Sequence, residues 1–218
     1  MFRAASTLML SSGVALLLCA CASGPVPPDW QANAHAALQA YESAVYAGNV
    51  RVAEAEFARA RGELARTGRP ELVARAELTR CAMRTLGLEF DDCPGYLALA
   101  ADVGAAERTY ANYLVGRWEG MQAGLLSAEH QSVVSGGAGA LGAIADPRAR
   151  LVAAGVLFRM GCLLVTGVAL AVDTASVQGW RRPLLVWLGV QLKLAEQSGD
   201  TEAAARIRRR IELTGGTR

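Results

Sequence analysis

The chain has 218 residues, 52% of them apolar and 19% charged, with a formal net charge of +2. Forty-two residues are alanine, Lys193 is the single lysine, and His35 and His130 are the only histidines. So apolar a chain is not disordered, so balanced a charge gives no bulk attraction to nucleic acid, and so few histidines and cysteines argue against a zinc site or a disulfide scaffold.

Arg3 and the amino terminus supply positive charge ahead of an apolar run from Leu8 to Leu18. The run is too short to span a bilayer as a mature helix but suits the core of a secretory signal. It ends in Leu18-Cys19-Ala20-Cys21, with Ala22-Ser23-Gly24 following. These residues resemble the lipobox of bacterial lipoproteins, with Leu at −3, a small residue at −1 and Cys at +1. The resemblance implies a signal peptide over residues 1–20, lipidation of Cys21, and acyl chains that together hold the protein stably on a membrane. Ala22, rather than Asp, resembles an outer-membrane sorting signal of Gram-negative bacteria. The expected location is therefore the outer membrane, facing the periplasm.

Residues 21–29 read as the lipidated cysteine and a proline-rich tether, with Pro25, Pro27 and Pro28. Its eight residues after Cys21 reach at most about 26 Å, which keeps a body at 30–214 close to the membrane.

That body reads as all-α. Ala34, Leu38, Tyr41 and Val45 recur at helical spacing, with Asp29 placed as the N-cap. Gly48-Asn49 then makes a turn, followed by Ala53, Phe57 and Ala60. This set resembles the second half of a tetratricopeptide repeat, although Ala65 stands where that family has Pro. Trp187-Leu188-Gly189, Leu194-Ala195-Glu196, Gly199-Asp200 and Ala204 resemble a second such hairpin, with Arg208 in place of its later aromatic. The resemblance implies antiparallel hairpins stacked as a short solenoid; an irregular helical bundle is the alternative.

Between the hairpins, Pro70 is placed to open a helix reaching Leu86, Pro94 a short one, and Asp146-Pro147 another that runs to Met160. Ala105 to Trp118 is also helical in spacing, and residues 135–142 form the loosest stretch, a candidate hinge. Leu151 to Val172 has one charge, Arg159, and a break at Gly161-Cys162. Two buried helices explain that run better than a membrane span interrupted by an arginine.

Gly137, Gly139 and Gly142 match GxGxxG, but the flanks offer neither a full strand before the motif nor a long helix after it, so no dinucleotide or other cofactor is expected. Cys81 and Cys93 are spaced so that a helix and a returning loop bring them together in an oxidising compartment. Their bridge would stabilise by about 3 kcal/mol. Cys162 is then a buried free thiol, although its pairing with one of the other two stays open on spacing alone. Glu89, Asp91 and Asp92 lack calcium-loop spacing and read as a solvated acidic loop. Ser127 reads as a helix cap, with His130 on the helix surface and no orienting acid for a triad. Glu42-Ser43 and Gly120-Met121-Gln122 have a faint resemblance to lytic transglycosylases, which would make Glu42 catalytic; as an ordinary side chain it belongs on the surface. Arg206, Arg208, Arg209 and Arg210 share the last helix and offer a contact to membrane phosphates.

The chain therefore reads as a non-enzymatic, lipid-anchored scaffold that binds a protein partner. Repeat-bearing outer-membrane lipoproteins of this kind act as pilotins or assembly factors. A ligand-binding lipoprotein with a pocket lined by Trp118, Trp180 and Trp187 is the alternative, and a cell-wall hydrolase the third reading.

Overall fold

The computed structural model describes residues 28–216; residues 1–20, read above as a signal peptide, Cys21 and most of the segment read as a tether lie outside the described residues. The described chain is all-α, with no strand. Ten α-helices run in order: α1 (Asp29–Ala47), α2 (Val50–Ala65), α3 (Pro70–Leu86), α4 (Pro94–Leu97), α5 (Ala105–Val115), α6 (Ala128–Gly136), α7 (Pro147–Arg159), α8 (Val165–Val177), α9 (Arg181–Gln197) and α10 (Thr201–Gly215).

Local chemistry sets most of these boundaries. Asp146 accepts from the Ala149 N–H at 2.8 Å and Asp200 from the Ala203 N–H at 2.8 Å, each satisfying a donor that the helix itself leaves open. Asn49 caps α2 through the Val52 N–H. At α1 the cap lies one residue earlier than expected: Pro28 occupies it, its carbonyl accepts from Gln31, and Asp29 is already helical. Residues 137–143 form a 3-10 helix, with Leu141 buried.

Hairpins α1/α2 and α9/α10 form where the two glycine turns place them. Gly48 takes φ +80°, a conformation glycine adopts without penalty, and α2 folds back along α1. Ala34, Ala37, Ala53 and Ala60 are buried and let the backbones approach, while Tyr41 meets Phe57 at 5.2 Å between ring centroids. Burying each of those rings is worth roughly 1.5–3 kcal/mol.

The two hairpins are not the ends of a stack. α1 packs on α9, and Tyr46 lies flat on Trp180 with centroids 3.9 Å apart. In an open solenoid each unit touches only its neighbours. Here the first and last hairpins meet, so the helices close into an irregular bundle. α3 and α7 run through its middle. From Leu151 to Leu157 every residue of α7 is buried, and the backbone at Gly155 passes so close to α3 that an added Cβ would stand 2.3 Å from the Thr85 carbonyl oxygen. The apolar run is thus two helices, α7 and α8, broken at Gly161 as expected. No helix among the described residues is long and apolar enough to cross a membrane.

Candidate functional site

Two half-open cavities flank α3, and buried Met83 belongs to the wall of both. The first, about 270 Å³, lies where the opening hairpin, α3 and α9 meet. Its base is apolar, from Tyr41, Val45, Ala53, Leu86 and Pro183. Burial pushes the Tyr41 hydroxyl far above its ordinary range, so this wall carries no charge.

The rim is built from arginines. Arg80 and Arg84 stand one turn apart on α3, and Arg182 reaches over from α9, its Cβ 3.5 Å from where a side chain on Gly48 would begin. Arg80 lies over the Phe57 ring at 4.8 Å and pairs with Glu54 at 2.6 Å. Arg84 pairs with Asp91 at 2.8 Å, and its buried Nε faces the Glu89 carboxylate at 3.9 Å, beyond hydrogen-bond distance. Arg182 pairs with Glu89 at 3.0 Å.

The loop from Gly87 to Cys93 is therefore not a freely solvated acidic loop, as its composition suggested. Arg159 donates to the Asp91 carbonyl at 2.6 Å and to the Asp92 carboxylate at 3.0 Å, and Asp91 accepts from the Cys93 N–H at 2.9 Å. The loop turns through two non-glycine residues at positive φ, Leu88 and Cys93. Cys81 and Cys93 are bonded, with Cα atoms 5.4 Å apart, which fastens the loop to α3. Asp91 approaches both sulfurs, but these are bonded to each other and so are not thiolate ligands; the cluster does not suit a metal.

The second cavity, about 300 Å³, lies on the other side of α3. Thr79, Ala82 and Met83 come from α3, Tyr110 from α5, Ser127, Glu129 and His130 from the start of α6, Asp146 from the cap of α7, and Arg148 and Val152 from α7 itself. His130 departs from its expected surface position: it is 6% exposed, because its ring fills the space between Tyr110 and Tyr113, at 5.6 and 4.6 Å from their centroids. Burial pushes it down to about 4, against a smaller opposing pull from Glu129 and Asp146, so it is neutral at pH 7. Its Nδ1 and the Tyr113 hydroxyl are buried without hydrogen-bond partners. Ser127 holds the N-cap position of α6 but makes no side-chain bond to the helix backbone.

Several other expectations need correction. Trp118, Trp180 and Trp187 line no common pocket. Trp187 is fully buried and bonded to the Leu86 carbonyl, Trp118 donates to the Tyr113 carbonyl at 3.2 Å, and Trp180 is stacked on Tyr46. Cys162 is exposed, because the break between α7 and α8 turns it away from the core that its apolar neighbours suggested. Glu42 is half-buried and held by Arg148 at 2.7 Å. The GxGxxG glycines lie in the 3-10 helix that follows α6, without the strand a dinucleotide site requires. Of the α10 arginines, Arg206 pairs with Glu202 and Arg208 with Glu196, whereas Arg209 and Arg210 make no ion pair among the described residues.

Sequence reasoning missed the three-arginine rim, although Arg80 and Arg84 at i and i+4 signalled one shared helix face. It also missed the convergence of Tyr110, His130 and Asp146, which no spacing in the chain foretells. No family model, no curated protein and no solved structure matches this chain.

Proposed function

We propose that the protein is a lipid-anchored, non-catalytic module of the outer membrane's periplasmic face that binds a protein partner through the arginine-rimmed cleft. The lipobox-like residues ending at Cys21 support the anchor, and the short tether then keeps the cleft near the membrane surface.

The observation that carries the partner reading is the make-up of the first cavity. An apolar base of Tyr41, Val45 and Leu86 suits one or two apolar side chains, while Arg80, Arg84 and Arg182, held at rest by Glu54, Asp91 and Glu89, suit carboxylates that exchange with those partners. Arginine and aromatic surfaces of this kind are enriched where protein partners bind. An acidic-apolar segment of a membrane-associated protein is the proposed occupant. The arginines of α10 are proposed as a secondary contact to lipid phosphates, resting on Arg209 and Arg210.

Placing a photo-crosslinker at Val50, 71% exposed on the cleft rim, tests this in intact cells. One defined membrane-associated protein is expected in the adduct. It should be absent when the crosslinker stands at Leu213, 83% exposed on α10, and lost in Cys21→Ala, which should also leave the membrane fraction. The same mixture of proteins from both positions would overturn the reading.

A further inference from the structure

One carboxylate on the rim of the first cavity is shared by two helices. Glu89 lines that cavity, and its oxygens face different arginines. Its Oε1 accepts from Arg182 of α9 at 3.0 Å, and its Oε2 stands 3.9 Å from Nε of Arg84 on α3. Asp91, the other carboxylate on Arg84, is fixed from a second side, because it also accepts from the Cys93 N–H at 2.9 Å. The Glu89 side chain is half exposed and pairs with these two arginines alone among the described residues. Its backbone is held separately: the Glu89 N–H donates to the Arg84 carbonyl at 2.9 Å, and the Cys81–Cys93 bond fastens the loop to α3. The carboxylate can therefore leave the arginines while the loop stays in place.

The loop fills only the charged part of the cleft. Phe90 lies on Phe158 with centroids 6.4 Å apart, and neither Phe90 nor Leu88 lines the cavity. The base of Tyr41, Val45, Ala53 and Leu86 thus keeps about 270 Å³ open. Exposed ion pairs are weak, since water and salt screen them, so Glu89 is exchangeable. As a tethered group it nonetheless competes at an effective concentration on the order of millimolar. An anion that brings charge alone replaces one carboxylate by another and gains little. A segment with an apolar side chain beside its carboxylate also buries that side chain against the base, a gain Glu89 does not have.

We propose that Glu89 is a built-in competitor for the carboxylate position between Arg84 and Arg182. It sets a threshold that segments pairing a carboxylate with an apolar side chain cross and purely acidic ligands do not. This role rests on the partner reading of the same cleft.

Titration calorimetry of the full-length protein in detergent tests it with two end-blocked five-residue peptides. One alternates leucine and glutamate; the other alternates serine and glutamate and carries the same two charges. The wild type should bind the leucine peptide at least tenfold more tightly than the serine peptide. Glu89→Gln keeps the side-chain length and removes the competing charge, so both peptides should tighten by at least threefold. Glu196→Gln, which removes the same charge from the pair with Arg208 outside the cleft, should change neither affinity. Peptide binding that Glu89→Gln leaves unchanged, or that Glu196→Gln tightens equally, overturns the competitor and leaves the cleft reading standing. Equal wild-type affinity for the two peptides overturns the threshold. Failure of both peptides to bind either the wild type or Glu89→Gln overturns the cleft reading, and the competitor with it.

Discussion

The indole N–H of Trp187 donates to the carbonyl oxygen of Leu86 at 3.1 Å, in an interior where neither residue is exposed. The carbonyl belongs to the last turn of α3, whose final oxygens have no partner within the helix. Trp187 therefore does two things at once: it fills the centre of the bundle, edge-on to Phe158 at 5.9 Å, and it caps α3 from α9. Trp187→Phe keeps most of the volume and removes the donor. A loss of about 2 kcal/mol is expected from the unpaired carbonyl, read as a lower urea midpoint with an unchanged m-value. An unchanged midpoint would mean that the bond contributes nothing.

Close contact between α3 and α7 rests on Gly155. Its alanine variant brings a Cβ to 2.3 Å from the Thr85 oxygen, backbone that cannot step aside alone. Gly155→Ala should cost about 1–3 kcal/mol by overpacking. Gly189→Ala is the matched opposite: it is helical, and nothing lies within 4 Å of the added carbon. That variant should stabilise by up to about 1 kcal/mol. Thermal melts of the two distinguish contact from helix propensity.

Removing the Cys81–Cys93 bond frees the loop that carries Glu89, Asp91 and Asp92. The Cys81→Ala/Cys93→Ala variant should lose about 3 kcal/mol on the loop-entropy account, measured by denaturant unfolding. In the folded, oxidised protein, maleimide followed by peptide mapping should label Cys162 rapidly and leave Cys81 and Cys93 unlabelled.

Stability should depend on the protonation of His130. The folded chain takes up this proton near pH 4, the unfolded chain near the ordinary 6.5. Between those values the unfolded state binds more protons, so the contribution is complete above about pH 6.5, falls as pH is lowered, and is gone below about 4. At about 1.4 kcal/mol per unit, the wild type loses about 3 kcal/mol more than His130→Leu across that window. Arg148, also in the cavity lining, keeps its charge throughout, and the neighbouring Tyr110, pushed up to about 12 by burial, stays neutral. Chemical denaturation of both proteins from pH 4 to 8 gives the difference directly; parallel curves would rule this role out.

Much of the local architecture was legible in the chain. Pro70, Pro94 and Asp146-Pro147 begin helices because a missing N–H and an acceptor side chain suit only a first turn. Gly48 and Gly199 turn the two hairpins, and Ala53, Phe57 and Ala60 face inward as their spacing required. The resemblance to stacked repeats carried the hairpins correctly but not their arrangement. Each hairpin looks the same in sequence whether its neighbour lies up the chain or at the other end of it.

The candidate sites were less legible for the same reason. His130 was read as a surface residue because its own helix is short and weakly patterned; Tyr110 and Tyr113, brought by α5, bury it. Cys162 was read as buried because its sequence neighbours are apolar, yet the turn after α7 exposes it.

By itself the sequence determined the helical class, most helix starts and the hairpin turns, and it made Cys81–Cys93 the expected pair, all of which depend on residues a few positions apart. Only the tertiary structure decided that α1 meets α9, that Arg182 completes the rim begun by Arg80 and Arg84, and that His130 and Asp146 share a cavity. Those relationships join residues far apart in the chain, where periodicity carries no information and the packing of whole helices against α3 and α7 fixes the outcome.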